Sequence, residues 1–136
     1  MDIKKLAIGG IVGGILFFLL GWLIYGMLLM DFMKNHPGVV SGYDKAEPDM
    51  LYLIIGNLAS GFLMAYIFVK AGINSLMGGL ITGAVVGLLM AASMDCIMYA
   101  TTNLVSKNMM MADVLAATAM SAIVGAVTGL VLGKVK

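Results

Sequence analysis

The sequence predicts an all-α membrane protein, a bundle of four transmembrane helices with glycine-zipper packing. Three observations carry this. Of the 136 residues, 62% are hydrophobic and only 11% are charged, whereas a soluble domain carries roughly 25% charged residues. The apolar residues fall into four blocks, each near the ~20 residues that a helix needs to cross a ~30 Å hydrocarbon layer. Within the blocks, small residues recur every fourth position, the spacing that lets membrane helices approach closely.

The spans run over about residues 6–30, 50–69, 76–100 and 112–132, all within one transmembrane domain, 1–136. Apart from Asp113 at the very start of the fourth, the one ionisable acid in these spans is Asp95, in the third. Lys4 and Lys5 ahead of the first span resemble the start of a signal peptide. The apolar run that follows is longer than the roughly 7–15 residues of a signal core, and no small-residue cleavage site follows it, so it reads as a retained helix.

Orientation follows the lysines, since cytoplasmic loops are enriched in positive charge. With the N-terminus inside, the inner side carries Lys4, Lys5, Lys70, Lys134 and Lys136, and the outer side Lys34, Lys45 and Lys107. Both termini are therefore expected on the cytoplasmic side. The outer loop, 31–49, holds both prolines, Pro37 and Pro48, together with Gly38, Ser41 and Gly42, and reads as turns. The connection near residues 70–75 is a tight hairpin, and 101–111 is a short loop.

The glycine pattern is most regular in the third and fourth spans. Gly79, Gly83, Gly87 and Ala91 form one ridge; Ala117, Ser121, Gly125, Gly129 and Gly133 form another. Span one has the pairs Gly9 with Gly13 and Gly10 with Gly14, and span two Gly56 and Ser60. Such ridges serve contact within the chain, between copies of a homo-oligomer, or with another subunit of a larger membrane complex. The likeness of the glycine clusters opening spans one and three also hints at a duplicated helical hairpin.

Two groups of residues could carry chemistry. An acid in hydrocarbon is costly and usually faces the protein interior or a watery cavity. Asp95 continues the Gly83–Gly87–Ala91 series, which turns it towards the bundle. Asn57, Tyr25 and Tyr99 lie at similar depth, with Trp22 one turn away, so these five residues can form a polar pocket in the outer half. The plainer reading is interfacial polarity, with Trp22, Tyr25 and Tyr99 as membrane-surface aromatics.

Methionine supplies the second group. Most of the fourteen methionines fall in or beside the outer half. Met27, Met30, Met33 and His36 are spaced by three, and Cys96 lies between Met94 and Met98. Thioether, thiolate and imidazole ligands suit a soft metal such as Cu(I), although methionine on a packed helix face more often fills gaps.

Other classes are excluded or left without support. A net charge of +1 gives no field for nucleic acid. All eight basic residues are lysines and the only cysteine is Cys96, which excludes an intrachain disulfide. No catalytic motif or cofactor fingerprint is present, so no enzyme activity and no cofactor are expected. Asp113, just inside span four, reads as an acid complementing the helix dipole.

The segment Gly21, Trp22, Tyr25 and Gly26, followed by a short apolar run, a polar loop and three glycine- and alanine-rich spans, resembles a family of small bacterial inner-membrane proteins, a domain of unknown function with four predicted helices. Members carry a proline just after the aromatic pair, where this chain has Gly26 and Met27. The resemblance implies the four-helix architecture and a bacterial inner membrane, and no activity. Three functional readings follow from the residues: binding of a small ligand or lipid, or movement of a solute, through the outer half of the bundle; a structural or accessory subunit docking through its glycine ridges; and soft-metal handling.

Overall fold

The computed structural model describes residues 2–36 and 49–135. The expected turns at Pro37, Gly38, Ser41, Gly42 and Pro48 lie outside these residues, as does the side chain of Met33. The described chain is all-α: α1 (Ile3–Leu23) runs on through one π-helical turn (Ile24–Leu28), followed by a short α2 (Met30–Asn35), α3 (Met50–Ala71), α4 (Leu76–Thr101) and α5 (Lys107–Lys134). Four of these segments are long and apolar enough to cross a membrane. Here the bundle end carrying α2 is termed the loop end, and the opposite one the termini end.

Each long helix begins on a capping side chain. Asp2 accepts from the Lys5 N–H at 3.1 Å, Asp49 from Leu51 at 3.2 Å, Ser75 from Gly78 at 3.0 Å and Ser106 from Met109 at 3.1 Å. Each bond satisfies one of the first-turn N–H groups that have no partner inside the helix. α3 ends at Gly72, whose φ of +74° is the left-handed geometry a glycine takes without a Cβ clash. There the Ile73 N–H reaches the Phe68 carbonyl at 2.9 Å and the Gly72 N–H that of Val69 at 3.4 Å. These two bonds form a Schellman ending, which reverses the chain within four residues and confirms the expected tight hairpin.

The helices form two pairs. α4 lies along α5, and α1 along α3; the pairs meet mainly where α1 touches α5. In the first pair, Gly79 and Gly83 face Ser121, Gly125 and Gly129, and a Cβ at Gly125 would sit 2.9 Å from the Gly83 Cα. Both ridges read from the sequence therefore face one another within a single chain. In the second pair the key residue is Gly61, not the expected Gly56. Gly61 packs against the backbone of Gly10 and Gly14, whereas a Cβ at Gly56 would meet nothing within 4 Å.

The hydrophobic core is small and sits at the junction of α1, α3 and α5, with Phe17, Met64, Phe68, Val124 and Leu132 buried in it. α4 contributes only the glycines Gly79, Gly83 and Gly87 to the buried set. Most of its large apolar side chains are exposed, as suits a helix that faces lipid. α3 and α4 are consecutive yet share almost no helix-to-helix contact. They are held together at the termini end by the Gly72 hairpin and leave a gap along the rest of their length.

Two boundaries differ from the sequence reading. Span one ends in a π-helical turn closed by the Leu29 N–H on the Ile24 carbonyl, 2.7 Å. Span four starts at Lys107, five residues before the expected position, because Ser106 provides a cap that a reading by hydropathy alone passes over. That shift changes the role of Asp113. It lies two turns inside α5, beyond the first turn in which a helix dipole favours an acid, so the dipole reading does not hold.

Candidate functional site

The glycine contact between α1 and α3 closes only part of their seam. A Cβ at Gly14 would sit 2.7 Å from the Leu58 side chain, but one at Gly21 would meet nothing within 4 Å. Towards the loop end the two helices therefore part, and they leave a cavity of about 710 Å³. Phe17, Phe18, Trp22 and Tyr25 line it from α1 and its π-helical turn, Leu53 and Asn57 from α3, and Met120 from α5. Ligand clefts for drug-sized molecules run from about 300 to 1,000 Å³ and are mostly apolar with a few placed polar groups. This cavity fits that description.

A second, smaller recess of about 280 Å³ lies in the gap between α3 and α4 and shares Phe17, Asn57 and Met120 with the first. Asn57 thus stands between the two. Its amide nitrogen donates to the Leu53 carbonyl at 2.8 Å, which leaves the carbonyl oxygen and the second N–H as the groups it can offer. Ser60 is likewise bonded back to its own helix, at Gly56, 3.1 Å.

The π-helical turn sets the position of Tyr25. Such turns insert one extra residue and recur at functional sites. The Tyr25 ring lines the cavity, while its hydroxyl neighbours two carboxyl groups, Asp113 of α5 and Asp95 of α4. The two acids also neighbour each other. One carboxyl oxygen of Asp95, Oδ2, is shielded from solvent and has no hydrogen-bond partner among the described residues. Among those residues no lysine forms an ion pair with either acid. Two carboxyl groups in contact favour sharing one proton, which leaves a single negative charge at this corner of the bundle.

The expected five-residue pocket is therefore divided. Trp22, Tyr25 and Asn57 share one cavity. Asp95 lies beyond Tyr25, in contact with Asp113, which the sequence reading had assigned elsewhere. Tyr99 is 44% exposed on α4 and lines neither recess. A signal for Asp113 was available: it begins the series of Ala117, Ser121, Gly125 and Gly129 by the same four-residue step that had turned Asp95 inward.

The soft-metal candidates come from separate elements of the chain. Met27 and Met30 are exposed, at 57% and 44%, and Cys96 is an exposed free thiol on α4. His36 stacks on Phe32, ring centroids 4.2 Å apart, and its Nδ1 lies 2.9 Å from the Phe32 carbonyl. The Ser106 hydroxyl donates to the His36 carbonyl, which ties the end of α2 to the start of α5. Among the described residues, no three His, Cys, Asp or Glu side chains come together in a metal-binding group.

Comparison of the chain with protein families, curated proteins and solved structures finds no match to any of them.

Proposed function

We propose that this protein binds an amphiphilic small molecule or lipid within the membrane, in the cavity between α1 and α3. The single observation that carries this reading is the cavity itself: about 710 Å³, apolar for most of its wall, with Tyr25 and Asn57 supplying polar groups. An occupant with an apolar body and a polar end matches that lining. The lysine distribution supports an orientation with both termini cytoplasmic and the cavity in the outer half of the membrane, and the resemblance to the four-helix family implies a bacterial inner membrane. The protein is in this reading a binder or carrier, not an enzyme.

The accessory-subunit reading draws on the glycine ridges. Those of α4 and α5 are occupied by each other, and Gly10, Gly14 and Gly61 by one another, so a docking partner would need a different face. This favours the binding reading. Soft-metal handling by Met27, Met30, Met33, His36 and Cys96 draws no support from the separation of Cys96 and the exposed methionines.

Gly21 provides the test. It lines the cavity, and a side chain there meets no neighbour within 4 Å, so Gly21→Phe fills the space without straining the bundle. Native mass spectrometry of protein released from its own membrane in mild detergent should show a bound amphiphile on the wild type and little on Gly21→Phe. Equal occupancy in the two, or a ligand-free wild type, would overturn the reading.

A further inference from the structure

We infer that the cavity selects a lipophilic cation, whose charge sits between the aromatic rings of Trp22 and Tyr25 and is drawn by the carboxyl groups of Asp95 and Asp113. This rests on the binding reading and adds the sign and class of the ligand.

Three independent features point the same way. The first is the wall. Trp22, Tyr25, Phe17 and Phe18 gather on one side of the cavity, and aromatic faces attract cations, most strongly where water is excluded; clusters of such rings are the usual receptor for quaternary ammonium groups. The second is the charge behind that wall. Tyr25 lines the cavity and hydrogen-bonds Asp113, with Asp95 close enough to act on it by charge, so the acids stand directly behind the cavity wall. In a low-dielectric bundle their field is weakly screened. The third is the missing counter-charge. No lysine pairs with either acid among the described residues, and none lines the cavity. A cation resting on the rings supplies the compensation that the described residues do not.

The remaining lining is what the rest of such a molecule needs. Leu53, Met50 and Met120 give an apolar floor, and methionine adapts to ligands of differing shape. Asn57, with one N–H held by the Leu53 carbonyl, keeps a carbonyl oxygen that can face a positive group.

Trp22 is the only tryptophan, so its fluorescence reads the site directly. The full-length protein in zwitterionic lipid nanodiscs is titrated with tetraphenylphosphonium and with tetraphenylborate, an anion of nearly the same size and shape. Gly21→Phe, with its cavity filled, serves as the blank for partitioning into lipid. The expected result is a saturable change with the cation alone, absent in Gly21→Phe, and weakened at least tenfold in Asp95→Asn/Asp113→Asn. Asp113→Asn by itself, with helical content checked by circular dichroism, guards against misfolding of the double variant and should weaken binding several-fold. Saturable binding of both ions, or cation binding indifferent to both acids, would overturn the charge selection while leaving the binding reading in place. No saturable response to either ion, with a bound amphiphile still seen by native mass spectrometry, would likewise overturn the cation and keep the cavity. Loss of both signals would remove the two together.

Discussion

Asp95 and Asp113 are brought together by the register that packs glycine on glycine. Gly83 lies against Gly125 and Gly87 against Ser121. Carried on by one turn in each helix, the register places Ala91 and Ala117 on the wall of the same recess, and by one more it places Asp95 beside Asp113. The closest helix contact in the protein therefore ends in two acids, where a purely structural ridge would end in another small or apolar pair.

That placement predicts the effect of removing one charge. In Asp113→Asn, an amide that always donates replaces a carboxyl group that donates only while it holds the pair's proton and repels its neighbour when both are ionised. The expected outcome is a protein as stable as the wild type or more so, by about 1 kcal/mol. Thermal unfolding in detergent, followed by circular dichroism, measures it. A marked loss of stability would identify the pair as a structural tie between α4 and α5.

The glycines separate into those that touch a neighbouring helix and those that do not. In Gly125→Leu, the first added carbon already stands 2.9 Å from the Gly83 Cα and closer still to the Gly79 carbonyl. The fault lies against backbone, which cannot move aside. Overpacking of this kind costs about 1–3 kcal/mol, and the small core of this bundle leaves little to offset it. Gly56→Leu adds a side chain where nothing stands within 4 Å and should be neutral. Size-exclusion profiles in detergent should show aggregation for the first and a wild-type peak for the second; the same peak for both would mean that the ridge does not hold α4 to α5.

The ridge was legible because it repeats. Four spans, their class and the inward turn of Asp95 all follow from block length and four-residue spacing, which are properties of helices in lipid and need no knowledge of their neighbours. Gly61 and Asp113 were not seen, for a different reason. Gly61 is a single small residue, and its importance comes from Gly10 and Gly14 on another helix. Asp113 was hidden by the start of α5: with the helix taken to begin at 112 it reads as a terminal acid, and only the Ser106 cap moves it inside. The cavity was partly legible, as Trp22, Tyr25 and Asn57 share a depth. What joins them, the parting of α1 and α3 beyond Gly14, depends on packing that composition does not encode.

Thr128 gives a prediction of the opposite kind. Its side chain is fully buried near Gly13, and its hydroxyl has no hydrogen-bond partner among the described residues. A hydroxyl shut away from any partner costs free energy that an apolar group of the same shape does not. Thr128→Val should therefore raise stability, by about 1 kcal/mol, with no change in ligand binding. Thermal midpoints of the two proteins in the same detergent decide it. A lower midpoint for the valine form would mean that the hydroxyl does find a partner in the folded protein.

The orientation is testable through the ends of the helices. Lys4, Lys70 and Lys134 belong to the termini end, Lys34 and Lys107 to the loop end. In a Cys96→Ala background, single cysteines at Lys34 and Lys107 should react with a membrane-impermeant maleimide on spheroplasts with intact inner membranes. Cysteines at Lys4 and Lys134 should react only after the membrane is opened. With the loop end outside, the cavity and the acid pair lie in the outer leaflet, and an amphiphilic cation would enter from the periplasmic side. The reverse labelling pattern would put the same cavity in the cytoplasmic leaflet, where anionic lipid headgroups concentrate cations, and the ligand would have to be sought inside the cell.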